Sequence, residues 1–402
     1  MRISSMSLYD TGTRSILEQQ SALLKTQQQV ATGRRIGVPS DDPVAAARAL
    51  VVSQSETMNL QFGVNRDAAK AALGLADSVL GSVGNVIQDV RSMAIEAGNG
   101  MLSNADRQSL ATALQGRFNE LLGLANSRDG SGNYMFSGYQ VGTQPFVPSG
   151  GSVSYNGDDG ALELQVAAAR QMGVTFSGRD VFERIHTGNG VFTTAAAGAN
   201  TGTGVINQGS VVNATLLTGQ NYAISFNVVG GVTTYDVINT TTATTLSTGN
   251  PYTPNAAITI DGMQVQIDGA PANGDQFTLA PSTNQSLFTT ISDLISALKT
   301  PASATTYSAP LANALGRAVA NLDQALDNVL KYRANEGAKL NEVDSLDDTG
   351  EALNIQFKQQ LSELQDVDYA EAISRLTRQQ AFLEAAQKSF IKVVSNKLFD
   401  YI

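Results

Sequence analysis

Near the N-terminus apolar residues recur every seven positions, at Tyr9, Ile16, Leu23 and Val30, with Leu17 and Leu24 beside them. Much of the rest of that face is Gln and Ser. A narrow seven-residue stripe suits a helix in a coiled-coil pair better than one lying on a broad core. The spacing predicts a helix from about Ser5 to Thr32, ended by Gly33-Arg34-Arg35-Ile36-Gly37-Val38-Pro39, a loop by its Gly and Pro content. Ser40-Asp41-Asp42-Pro43 restarts a helix, with an acidic cap followed by Pro at the first position, where a missing N–H costs nothing. The second helix is long. Val44, Ala47, Val51, Met58, Phe62, Ala69, Ala72, Ala76, Val79, Val83, Val86, Val90, Met93 and Ala97 step mostly by three and four up to Gly98-Asn99-Gly100. A third helix follows from about Asn104, opened by the capping-box-like Ser103-Asn104-Ala105-Asp106. The turn cluster Arg128-Asp129-Gly130-Ser131-Gly132-Asn133 ends it.

The C-terminal part repeats this helical character. Leu315, Val319, Leu322, Leu326, Val329, Arg333, Glu336, Leu340 and Val343 alternate steps of four and three, and Arg333 with Glu336 is expected to form an i,i+3 pair. Asp347-Asp348-Thr349-Gly350 reads as a loop or local break. A last helix from about Asp368 places Ile373, Leu376, Leu383, Phe390 and Val394 at heptad spacing, with Gln380 and Gln387 in the same seam, before the apolar end Lys397-Leu398-Phe399-Asp400-Tyr401-Ile402.

Between the helical parts the period changes to two. Tyr222 to Val228, Gly230-Gly231, then Val232 to Ile238 predicts a β-hairpin, and Ile258 to Ile260, Asp261-Gly262, then Met263 to Ile267 predicts a second. Residues 193–204, TTAAAGANTGTG, read as a flexible surface loop. From Tyr139 to about Gln285 there is no Lys, three Arg and nine acidic residues, and Gly, Thr and Val dominate. The plan is helix, sheet, helix, with an all-β domain inserted at an exposed tip of a helical host.

Composition narrows the chemistry. The 402 residues exceed a usual single domain and call for at least two cores. With no Cys, disulfides, thiolate metal sites and Cys nucleophiles are excluded. The one His, His186, stands in no catalytic or metal-ligand spacing and is expected on the surface. Asn156-Gly157-Asp158-Asp159-Gly160 lacks the downstream Glu of a calcium loop and reads as a solvated hairpin turn. Walker A, HExxH and GxSxG sequences are absent, so no catalytic residue, cofactor or metal site is expected. Aromatics are 6% of the chain, too few for an aromatic-lined pocket, and a net charge of −10 disfavours nucleic acid. No secretory leader or membrane-spanning run is present. That suits a cytoplasmic protein or one exported without cleavage.

The thin seams have an energetic consequence. Ordering each residue costs about 1–2 kcal/mol of backbone entropy, which a single amphipathic helix does not recover. Pairing the two ends as an antiparallel coiled coil helps, yet Gln-rich seams leave that pair weak. The ends are therefore expected to order fully only when neighbouring subunits cover them.

The same segments resemble a known family. TGRRIGVPSDDPVAAARAL at 32–50 resembles the N-terminal loop and helix of bacterial flagellins, NADRQSLATALQGRFNELLGLAN at 104–126 their second core helix, and the Asp368–Ile402 segment their C-terminal helix. NYMFSGYQVGTQPF at 133–146 and GDQFTLAPS at 274–282 are more similar to the hook-associated, junction-forming branch of the superfamily than to filament flagellins. The resemblance implies an α+β multidomain fold: a long antiparallel helical rod or coiled coil built from both termini, with an inserted all-β domain. It divides the chain into an N-terminal assembly helix (1–42), two halves of a helical rod (43–138 and 286–364), an outer β domain (139–285) and a C-terminal assembly helix (365–402). It further implies a structural, non-enzymatic, extracellular flagellar subunit, exported unfolded through a type III channel without cleavage. The implied partners are copies of itself in a ring, the other hook-associated protein, flagellin, and an export chaperone on the C-terminal helices. Nucleic acid and membrane are not among them. Ile16, Leu23, Val30, Ile373, Leu376, Leu383, Phe390, Val394 and Leu398 are the expected assembly interface. The alternatives are a filament-forming flagellin and a β-domain adhesin or glycan-binding module.

Overall fold

The computed structural model describes the backbone of residues 5–150, 152–300 and 308–395. Its helices are α1 (Ser5–Thr32), α2 (Pro43–Ala97), α3 (Asn104–Ala125), the short α4 (Gly178–Phe182), α5 (Leu287–Lys299), α6 (Ala309–Gln365) and α7 (Tyr369–Ser395). Among the described residues every strand lies between α3 and α5, and the strands pair antiparallel. Two compact units result: one is Met1–Val64 with Ser345–Ile402, the other Asn65–Asp344.

In the larger unit the helical core follows the expected periodicity. Ala69, Ala76, Val83, Val86, Val90 and Ala97 of α2 are buried, joined by Leu73, Leu80 and Ile87. Leu315, Leu322, Val329, Glu336 and Val343 of α6 are buried as a run of sevens. The expected Arg333–Glu336 pair does not form. Arg333 reaches across to Asp77 at 2.9 Å, while Glu336, fully buried, bonds Lys339 at 3.1 Å. A longer side chain at one helix position finds a better-placed carboxylate on the packed neighbour than on its own turn. Ser103 and Asp106 make the capping box of α3 as expected.

Beyond α3 the chain builds an aromatic nucleus. Phe146 meets Tyr155, Phe182 and Phe288 at ring separations of 5.1, 5.3 and 5.2 Å, and Phe136 meets Phe182 at 5.3 Å. Two hairpins lie here, β1 (Phe146–Ser149) with β2 (Ser152–Tyr155), and β3 (Glu163–Ala167) with β4 (Arg170–Gly173). Residues 156–160 are not the solvated hairpin turn expected of them. Asp158 accepts N–H bonds from Tyr139 and Gly160, and Asp159 pairs with Arg184 at 2.7 Å, so these carboxylates brace the start of the insertion.

After β5 (Ile185–His186), where His186 is exposed as expected, a sandwich forms. Its strands are β6 (Phe192–Ala196), β7 (Val205–Ile206), β8 (Ser210–Val211), β9 (Tyr222–Val229), β10 (Val232–Asn239), β11 (Thr244–Pro251), β12 (Ala257–Ile260), β13 (Met263–Asp268) and β14 (Gln276–Pro281), before β15 (Asn284–Gln285) pairs back with β5. One sheet has the order β11-β10-β9-β14-β6, and a smaller one the order β12-β13-β7, with β8 also on β13. Both predicted hairpins form. Gly230 and Gly231 have φ of 61° and 81°, and Asp261 and Gly262 of 42° and 81°, the left-handed pair a two-residue turn needs. Phe192, Ile224, Phe226, Val265, Ile267 and Phe277 fill the space between the sheets. The segment 193–204 is not a flexible loop. Its first residues belong to the edge strand β6, paired to β14, and Asp275 accepts the N–H groups of Thr201 and Gly202 at 2.8 and 3.0 Å.

The smaller unit holds α1, α7, residues 43–64 of α2 and residues 345–365 of α6. α1 and α7 run antiparallel: Tyr9 and Gly12 meet Phe390 at one end, and Gly33 meets Tyr369 at the other. Asp347 to Gly350 do not break α6, which continues to Gln365. Gly350 is tolerated there because its backbone is approached closely, its carbonyl accepting the Asn59 side-chain amide at 2.7 Å. α2 departs from expectation in this unit. Val44, Val51 and Met58 face outward, and Ala45, Ala49 and Asn59 are buried instead.

Candidate assembly surface

The loop between α1 and α2 is tied from both sides. Asp41 accepts the N–H groups of Gly37 and Val38 at 2.9 and 3.1 Å and pairs with Lys25 at 2.7 Å. Lys25 first, then the Val38 and Gly37 amides, hold its carboxyl at about 2, well below the ordinary range. Asp42 caps α2 by accepting the Ala45 N–H at 3.0 Å and meets Arg35 at 3.2 Å; these contacts lower its pKa too, the Ala45 bond foremost. The loop also grips the chain's other end. Arg35 donates its N–H to the Gln365 carbonyl at 2.7 Å and its guanidinium to the Leu364 carbonyl at 2.8 Å, and Val367 N–H returns to the Gly33 carbonyl at 2.9 Å. Gly33 sits at φ 71°, which strains any side chain there, and a Cβ would stand 2.9 Å from the Tyr369 hydroxyl, so that ring would have to move aside. Asp368 then caps α7 through the N–H groups of Ala370 and Glu371.

From this corner α1 and α7 pair along a seam. Ile16, Leu23 and Val30 on α1 and Leu376, Leu383 and Phe390 on α7 are all half-buried. Gln19 and Gln379 lie between them, and the Gln379 side-chain carbonyl is buried without a hydrogen-bond partner. Ile373 lies outside the pair, about half exposed, and Gln380 and Gln387 are exposed with it. The inward positions on α7 are Ala372, Leu376, Gln379, Leu383, Ala386 and Phe390, a stripe that keeps Leu376, Leu383 and Phe390 of the expected one and replaces Ile373, Gln380 and Gln387 by the residue before each. The backbone of Val394 continues α7, its side chain is not described, and Leu398 lies outside the described residues.

Core and surface are inverted in this unit. Among the described residues its buried hydrophobic side chains are Ala45, Ala49 and Ala372, with no larger apolar side chain fully buried. It nevertheless carries sixteen of the twenty-eight exposed large hydrophobics, in fewer than half as many residues as the larger unit. They include Leu17, Leu24, Val44, Val51, Met58, Phe382 and Ile391. Two open apolar hollows of about 490 and 290 Å³ lie on it, beside Val51 and Leu364 and beside Ile16 and Phe390. These side chains and hollows are the exposed apolar surface on which an assembly contact would have to be made. The sequence showed the seams but not this inversion, because α1, α2 and α7 carry apolar residues on more than one face.

Comparison with known proteins agrees with this architecture. The N-terminal helical region of bacterial flagellin matches residues 3–141, and the C-terminal helical region matches residues 319–401. Flagellar hook-associated protein 3 of Escherichia coli is 31% identical over 99% of both chains. The crystal structure of the flagellar junction protein FlgL from Legionella pneumophila superimposes with a TM-score of 0.72 at 30% identity, covering 79% of this chain and 100% of that one. The Xanthomonas campestris FlgL structure gives a TM-score of 0.72 at 31% identity, covering 77% and 99%. The two flagellin regions span more than half of the chain and the full-length match spans nearly all of it: this protein belongs to the bacterial flagellin family, in its hook-associated protein 3 (FlgL) branch.

Proposed function

We propose that this chain is the structural subunit joining hook to filament in the bacterial flagellum, and that its smaller unit is the part that assembles. The observation that carries this is the inversion described above: among its described residues, a unit whose buried hydrophobic side chains are all alanines, with sixteen large apolar side chains exposed. At about 25 cal/mol per Å² of apolar area, covering even a few of these side chains stabilises an assembly by several kcal/mol. The names of its relatives, flagellar hook-associated protein 3 and flagellar junction protein, support the same role.

In this reading 1–42 and 365–402 are the assembly helices, 43–138 and 286–364 the rod halves, and 139–285 an outward spacer. Ile16, Leu23, Val30, Leu376, Leu383 and Phe390 set the shape of the α1–α7 pair, Ile373 meets a neighbour directly, and Val394 and Leu398 extend the interface toward the end of the chain. The partners are further copies in a ring, another hook-associated protein on one side, flagellin on the other, and an export chaperone before assembly. The chain acts outside the cell, exported without cleavage, and catalyses no reaction. Deleting residues 1–40 and 365–402 is expected to leave a soluble, folded monomer that neither joins purified hooks nor restores motility to a strain lacking the protein. Restored motility would sink the proposal.

A further inference from the structure

A cavity of about 530 Å³ is lined only by residues of the larger unit. Its walls come from the β5 and β15 ends, β6, α5 and α6. Its volume falls in the range of small-ligand sites, yet no aromatic ring lines it and Leu294 is its one large apolar residue. The rest of the lining is four alanines, hydroxyls, amides and two opposite charges. Thr187 and Thr290 are buried in the wall. Asn321 accepts the Gly188 N–H at 2.8 Å, and Gln285 donates to Asp293 at 3.2 Å, so the amides are held in fixed orientations. Arg317, the one cation in the lining, makes no ion pair or hydrogen bond among the described residues and does not pair with Asp293. The open cavity thus has a positive pole at the exposed Arg317, an acceptor pole at the exposed Asp293, and hydroxyl and amide groups in the same lining.

We propose that this cavity binds a sugar acid: a ring rich in hydroxyl groups that carries one carboxylate. Arg317 has the planar fork that a carboxylate matches, and a charge-assisted pair of this kind is stronger than a neutral hydrogen bond. The second oxygen of Asp293 and the hydroxyls of Thr193 and Thr283, none with a partner among the described residues, suit the ring hydroxyls, which both donate and accept, while Thr187 and Thr290 already bond Thr283 and Ser286. The missing aromatic face disfavours ligands held by stacking. The same chemistry is offered by a free uronic acid and by the terminal residue of an acidic polysaccharide.

The test is calorimetric titration of the full-length protein with glucuronate, glucose and acetate, and with a glucuronate-terminated oligosaccharide. Glucuronate is expected to bind at least about tenfold more tightly than either glucose or acetate, and Arg317→Gln to remove the advantage over glucose. Thr193→Val, on the cavity wall but bearing no charge, should weaken glucuronate and glucose alike and leave the melting temperature unchanged. Binding of the oligosaccharide at least as tight as the free acid identifies a polysaccharide end as the source, and weaker binding identifies the free acid. Equal affinity for acetate and glucuronate, no binding at millimolar concentration, or an Arg317→Gln variant that keeps its preference for the acid would each overturn the proposal.

Discussion

Glu336 shows how a single position can matter beyond its place in a seam. Its carboxylate is fully buried, one oxygen bonds Lys339 and the other has no hydrogen-bond partner among the described residues. Burial is the chief cause that raises its pKa; Lys339 pulls the other way, and Asp77 raises it further. For an acid raised on folding, the stabilising contribution is present below the ordinary glutamate range and is lost as pH rises through the folded value. Glu336→Gln should therefore stabilise the larger unit by about 1 kcal/mol at pH 7 and have little effect near pH 4. Thermal melts at the two pH values check this, and a variant less stable at pH 7 would contradict it. Asp41 has the opposite sign. Its carboxyl is depressed to about 2, so its hold on the α1–α2 loop persists across neutral pH and fades only as pH falls from the ordinary carboxylate range toward that value. Gly33→Ala attacks the same corner through its backbone and should cost about 1–3 kcal/mol, read as faster trypsin cleavage after Arg34 and Arg35.

At the scale of elements, periodicity announced the helices but not always the face that turns inward. α6 was legible because Leu315 to Val343 form one apolar stripe on an otherwise polar helix. In the first turns of α2 the expected Val44-Val51-Met58 stripe faces outward, and Ala45 and Ala49 are buried instead because alanines let backbones approach closely. Residues 193–204 hid a strand because Thr and Ala carry little hydrophobic signal, and the partner that orders the segment, Asp275, lies far along the chain. The Asp-Asp-Thr-Gly run looked like a break, but Gly350 stays helical where a neighbouring amide takes its carbonyl. The assembly surface was legible only in part. Leu17 and Leu24 stood in the sequence beside the seam, and the fold places them outside it at 60% and 64% exposure. Leu17→Ser with Leu24→Ser should change monomer stability by no more than about 0.5 kcal/mol while abolishing incorporation onto hooks, measured by urea melts and by pelleting with hooks. Loss of stability with retained incorporation would reverse their assigned role.

For the molecule as a whole, the contrast between the two units is the central result. The larger one buries aromatic and aliphatic side chains in three places: the helical core, the Phe136–Phe146–Phe182 nucleus and the β-sandwich. The smaller one has hydrogen-bonded corners and caps but no large buried apolar side chain among its described residues. Local opening is cheapest where few apolar contacts must be broken. Backbone hydrogen exchange, followed by mass spectrometry on the free protein and on the protein bound to purified hooks, tests this most directly. The account predicts that α1 and α7 exchange within seconds in the free protein while the larger unit is protected for hours, and that α1 and α7 become protected on the hook. Slow exchange of α1 and α7 in the free protein, matching the larger unit, would show that the terminal pair is complete by itself and contradict the account.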